Sequence, residues 1–141
     1  MTTQELQEHL NKLVYDIEGL RLVIDADQRY IDHLLSQEFE IDVRPYVRHA
    51  QSYMEKDRRT MSRHLATIEA WSQLITKDTN RQIYIDHYMN GLTWHDIEEK
   101  YHYSTSMVFH INKTCCDQIA QNLVCEIVPD CNTKTDTAVS L

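Results

Sequence analysis

Leu6, Leu10, Leu13, Ile17, Leu20, Ile24, Asp27, Ile31 and Leu34 follow one another at alternating intervals of four and three residues. Because an α-helix turns once every 3.6 residues, this spacing draws a single apolar seam along a helix and asks for a second helix to cover it. Only two glycines and two prolines occur in 141 residues, so little interrupts such helices. Gly19 lies off the seam and costs about 1 kcal/mol relative to alanine. Asp27 is a polar guest on the seam, able to set its register. The helix is expected to fray over 36–42, because Arg44 precedes Pro45 and the residue before proline is pushed away from helical dihedrals.

Pro45 suits the first turn of a second helix, where its missing N–H is not needed. Val47, Met54, Met61, Ile68 and Ile75 then recur every seven residues, with Ala50, Leu65 and Trp71 between them. The short connection at 40–45 predicts an antiparallel return, with the two seams buried against each other or against a second subunit. The polar residues at 77–79 end this pattern, and Asp78 or Thr79 can cap the next helix. That helix turns Ile83, Tyr84 and Tyr88 inward, with Ile85 beside them, and ends at Asn90 and Gly91. Thr93 caps a following helix with Ile97 and Tyr101 on its buried side, and His102 and Tyr103 make a turn. Ser104 caps a last helix whose Met107, Val108, Ile111 and Cys115 are expected to face inward. The fold class read from this pattern is all-α. A helical hairpin or coiled coil spans 1–77, a helix-turn-helix domain 78–124, and an aperiodic polar tail, expected to be disordered, 125–141.

Three short helices with a four-residue link between the last two meet the requirement of a helix-turn-helix, in which two helices brace a third that can lie in the major groove. The stretch YMNGLTWHDIEEKYHYSTSMVFHINK, residues 88–113, resembles the C-terminal DNA-binding region of sigma-70 factors. It resembles phage late-transcription activators of the RinA and ArpU type more closely. Tyr88, Gly91, Leu92, Thr93, Trp94, Ile97, Tyr103, Ser104, Val108, His110 and Ile111 carry the likeness over about forty residues. It departs at Glu98, where the family usually has alanine, and in a recognition helix at 104–118 with one lysine and no arginine. The resemblance implies a phage or prophage regulator that binds double-stranded DNA upstream of late genes alongside host RNA polymerase. A helix in the major groove would read with its outward N-terminal residues: Thr105, Ser106, Phe109, His110, Asn112 and Lys113. Asn112 could pair bidentately with adenine and Phe109 touch a thymine methyl, while Thr105 and Ser106 meet base or phosphate and Lys113 neutralises phosphate.

The net charge of −8 opposes tight binding by a lone monomer, since phosphate contacts require Lys and Arg. The acidity is concentrated in residues 1–45, with ten acidic and four basic side chains. A homodimer, adding the contacts of two half-sites, is therefore expected. Arg58, Arg59 and Arg63 form the one basic cluster, and pairing with the acidic first helix is the favoured reading. The alternative function is an acidic coiled-coil interaction protein whose helix-turn-helix binds polymerase or a host protein rather than DNA. Cys115, Cys116, Cys125 and Cys131 contain no C-x-x-C pair, and His87 and His95 lack a ligand partner at a useful spacing, so neither metal nor cofactor is expected. Cys115 and Cys116 read as small buried hydrophobes. No glycine-rich loop, nucleophile elbow or His-Glu-x-x-His occurs, so an enzyme is not expected. The lack of an apolar run of ~20 residues and of signal-peptide features leads to the expectation of a cytoplasmic protein without a membrane partner.

Overall fold

A computed structural model describes the backbone of residues 1–133 and the side chains of residues 1–123. Five helices follow one another: α1 (Thr3–Ser36), α2 (Arg44–Ser72), α3 (Asp78–Tyr88), α4 (Trp94–Tyr101) and α5 (Thr105–Thr133). The fold is all-α, and no strand occurs among the described residues. No helix among them is long and apolar enough to cross a membrane. Helix α5 continues past Cys125, where the sequence places the start of a tail; residues 134–141 of that tail lie outside the described residues.

Packing divides the chain into two units that interleave along the sequence. One is Lys12–Ala66, and the other combines Met1–Asn11 with the chain from Thr67 onward. This differs from a boundary at residue 77. The cause is visible at the outer ends of the two seams, where Leu6, Leu10, Ile68 and Ile75 are fully buried within the second unit. Apolar periodicity marks a helix as amphipathic but does not say which neighbour covers each stretch of it.

In the unit 12–66 the seams meet within one chain. Ile31 and Leu34 of α1 pack with Val47, Ala50 and Met54 of α2, and Ile24 and Val43 close the cluster. Each of the large buried side chains among them, Ile31, Leu34, Val47 and Met54, contributes about 1.5–3 kcal/mol by leaving water. Asp27 is half-buried on the same seam. Helix α1 ends at Ser36, inside the stretch expected to fray, and Pro45 falls in the first turn of α2. The Asp42 carboxylate accepts the Arg44 backbone N–H at 3.0 Å and the Arg44 guanidinium at 2.9 Å, which fixes the chain's entry into that helix.

In the other unit α3, α4 and α5 pack on one another. Arg81 closes the end of α2. Its Nη2 donates to the Ile75 carbonyl at 2.6 Å and its Nε to the Ser72 carbonyl at 3.2 Å, and an ion pair to Asp78 at 2.8 Å holds the guanidinium in place. These bonds give the Ser72 carbonyl, which also accepts the Ile75 N–H, a second donor, and they satisfy the Ile75 carbonyl in the turn that follows the helix. The Tyr84 hydroxyl donates to the Ile68 carbonyl at 2.8 Å, and burial pushes its pKa well up. Helix α3 begins at Asp78 with Lys77 at the cap position and no side-chain cap, so neither Asp78 nor Thr79 plays the expected capping part.

Candidate nucleic-acid interface

The path from α3 to α5 is set by two short turns. Gly91 adopts a left-handed φ of 79°, and the Leu92 N–H donates to the Asp86 carbonyl at 3.0 Å. Thr93 then starts α4 with a capping box. Its hydroxyl accepts the Asp96 N–H at 3.1 Å while the Asp96 carboxylate accepts the Thr93 N–H at 3.0 Å. The latter bond holds the Asp96 carboxyl below its ordinary pKa. His102 ends α4 in the left-handed region at φ 58°, and the His102 and Tyr103 N–H groups both donate to the Glu98 carbonyl. The Ser104 hydroxyl accepts the Met107 N–H at 3.1 Å and starts α5. Thr93, the turn at His102 and Ser104 thus stand as the sequence places them.

A buried carboxylate locks this arrangement. Asp86, only 2% exposed, accepts from the Tyr101 hydroxyl at 2.7 Å, Lys100 Nζ at 2.9 Å and Gln82 Nε2 at 3.0 Å. Burial alone would raise its pKa, but the bonds from Tyr101, Lys100 and Gln82 outweigh it, and the carboxyl sits below its ordinary value. The Tyr101 hydroxyl is pushed up to about 12 by burial and by its bond to the carboxylate. Sequence reasoning missed Asp86. A signal was present, since it lies three residues after Ile83 and shares that residue's inward face.

Three side chains from three helices form a closed ring of hydrogen bonds. Gln7 Nε2 donates to the Tyr88 hydroxyl at 2.8 Å, that hydroxyl donates to Asn112 Oδ1 at 2.8 Å, and Asn112 Nδ2 returns a bond to Gln7 Oε1 at 2.9 Å. Thr3 adds a 2.6 Å bond to Asp117. Next to the ring, the His87 imidazole stacks on Trp94 with centroids 3.5 Å apart, and its Nδ1 lies 2.7 Å from the Leu92 carbonyl. A carbonyl can only accept, so Nδ1 carries the proton. Burial holds the His87 pKa below its ordinary value.

The residues proposed as readers separate into two groups. Thr105, Ser106, Phe109, His110 and Lys113 are exposed on α5, and Phe109 is 72% open to solvent. Asn112 is half-buried, and both ends of its amide are engaged in the ring, so it cannot pair with a base while that ring is closed. The cue was its spacing, four residues after Val108 and three before Cys115, both buried. Thr105 donates its hydroxyl to Glu98 Oε1 at 3.1 Å. Glu98 is half-buried and serves as an acceptor for the first residue of α5. Met107, expected inside, is 46% exposed, whereas Val108, Ile111 and Cys115 are buried as expected.

An open cavity of about 640 Å³ adjoins this face, walled by Gln4, Gln7, Trp94, Val108 and Phe109 with Lys113 at its edge. Both cysteines on α5 are buried, and burial raises the pKa of the Cys115 thiol to about 12 and of Cys116 to about 11, which favours the protonated thiol at neutral pH. Arg59 pairs with Glu55 of its own helix at 3.0 Å, instead of with the acidic first helix. Among the described residues no group of three His, Cys, Asp or Glu side chains could hold a metal ion.

Fold and site together define an all-helical protein in which two short helices, α3 and α4, pack on a long helix whose first turns stay exposed. No protein-family model, curated protein or solved structure matches the chain.

Proposed function

We propose that this protein is a DNA-binding transcriptional regulator of the phage late-gene activator kind, working as a dimer with host RNA polymerase. Helix α5 enters the major groove, with Ser106, Phe109 and His110 toward base edges and Lys113 toward phosphate, while Thr105, its proton held by Glu98, can only accept from a base. The observation that carries this reading is the two-sided character of the start of α5. One side is anchored by Val108, Ile111 and Cys115, while Ser106, Phe109, His110 and Lys113 are left open to solvent. The Asp86 clamp and the two capped turns hold that side in place without using its side chains.

Binding of duplexes from the region upstream of the gene, titrated with salt, tests the proposal. Affinity should fall linearly with salt on a logarithmic plot, by about 0.9 per phosphate contact, and Lys113→Ala should lower the slope by about one. Failure to retain any duplex at low salt would refute it. The second reading, an interaction protein that binds polymerase or a host protein instead of DNA, is favoured by the exposure of Met107 and of Phe109, the latter lining the cavity, on an acidic chain.

A further inference from the structure

The seams of α1 and α2 cover each other within one chain, so association of two chains needs a different surface, and the unit 12–66 offers one. On α1, Tyr15, Gly19, Val23 and Tyr30 recur at helical spacing on a side away from the seam, with Leu22 next to them. On α2, Tyr46, Tyr53 and Thr60 lie seven residues apart. Both rows belong to one face, because Thr60 and His64 line a groove of about 400 Å³ together with Tyr15, Gly19 and Val23. The groove floor is open at Gly19, where an added Cβ would meet nothing within 4 Å. Tyr15 is 77%, Leu22 71%, Val23 48%, Tyr30 45%, Tyr46 49% and Tyr53 52% exposed. Asp16 and Leu20 also line the groove, and Asp16 is neutralised by Lys12 at 3.3 Å, so the face is a tyrosine-rich surface with a paired charge at its side, a composition found in interfaces.

We infer that this face binds a second copy of the chain, forming a four-helix bundle in which α1 of each hairpin lies over α2 of the other. Area and charge select that occupant. At their observed exposures the six large side chains present roughly 600–700 Å² before flanking polar atoms are counted, close to the ~800 Å² per partner of a standard interface. Residues 12–36 carry five acidic and three basic side chains, whereas residues 44–66 carry two acidic and six basic. Placing α1 over the partner's α2 sets unlike charge against unlike charge. A two-fold axis along the bundle produces that pairing with every neighbouring helix antiparallel, the up-down-up-down arrangement. The partner's α2 then supplies side chains to the groove above Gly19.

Sedimentation of the full chain over a concentration series, without DNA, tests the inference apart from the proposed DNA-binding function. The chain should sediment as a dimer. Val23→Glu and Tyr53→Glu, both at exposed positions, should each weaken association at least tenfold with the helical circular dichroism unchanged. Ser62→Glu, outside both rows, should leave association as it was. Chains carrying Val23→Cys mixed with chains carrying Thr60→Cys should form mixed disulfide dimers under oxidation. A monomer at every concentration overturns the inference, even if the glutamate variants impair DNA binding. So does a dimer that both glutamate variants leave intact, or disulfide dimers joining only like chains.

Discussion

Replacing Asp86 by alanine removes the acceptor shared by Tyr101, Lys100 and Gln82. The Tyr101 hydroxyl and the Gln82 amide then lose a charged partner, and hydrogen bonds to charged groups contribute about 1.5–3 kcal/mol each. Lys100 is half exposed and returns to water, so its share is smaller. The expected loss is about 3–4 kcal/mol, within the range found when one member of a buried ion pair is deleted. For a unit of this size that lowers the melting temperature by at least ~12 °C. Asp86→Asn keeps the shape and one acceptor and should lose about half as much. Urea unfolding followed by Trp fluorescence measures both. The pH dependence carries its own sign. The folded carboxyl lies below its ordinary value of 3.8, so its stabilisation is full above that value and is lost as the pH falls through the lower folded value. The gap between wild type and Asp86→Asn should therefore narrow on acidification. A loss below 1 kcal/mol for Asp86→Ala, or a gap that widens toward low pH, would refute the reasoning.

Thr93→Ala removes one half of the capping box and should cost about 1 kcal/mol in the same unfolding assay. His102→Gly should raise the melting temperature and His102→Val lower it, because a left-handed φ costs a β-branched residue about 1–2 kcal/mol and glycine almost nothing. His87 has a folded pKa below its ordinary value of 6.5, so the unfolded chain takes up the proton first and stability falls as the pH drops below about 6.5. Melting curves from pH 7.5 to 5.5 should show the decline, and His87→Gln should remove that component. Asn112→Ala should lower thermal stability by opening the ring with Gln7 and Tyr88, whereas Glu98→Ala should leave duplex binding intact or tighten it in the salt-titration assay.

The helices were legible because their signals are local. A seam at intervals of four and three, a proline in a first turn, and Thr93 and Ser104 at helix starts each act within one or two turns of chain. What escaped depends on contacts between different elements, some of them far apart in sequence. Asn112 looks like an outward polar residue until the start of α1 is seen to cover it, and Asp86 looks like a solvated acid until Lys100 and Tyr101 arrive from α4. Arg81 gave no sign that its guanidinium closes α2. The two packing units were not legible for the same reason, since Leu6 and Ile68 carry the same heptad signal as Ile31 and Val47 but lie in the other unit.

The bonds from Thr3 to Asp117 and from Gln7 to Asn112 close loops of more than a hundred residues. A ribosome making the chain at ~5–20 residues per second releases Gln7 many seconds before Asn112 exists. During that interval the first two turns of α1 have no α5 to bind, while the hairpin of residues 12–66 can already close on contacts much nearer in sequence. Synthesis thus favours an order in which the hairpin folds first and the unit built from α3 to α5 is completed only as the last helix emerges.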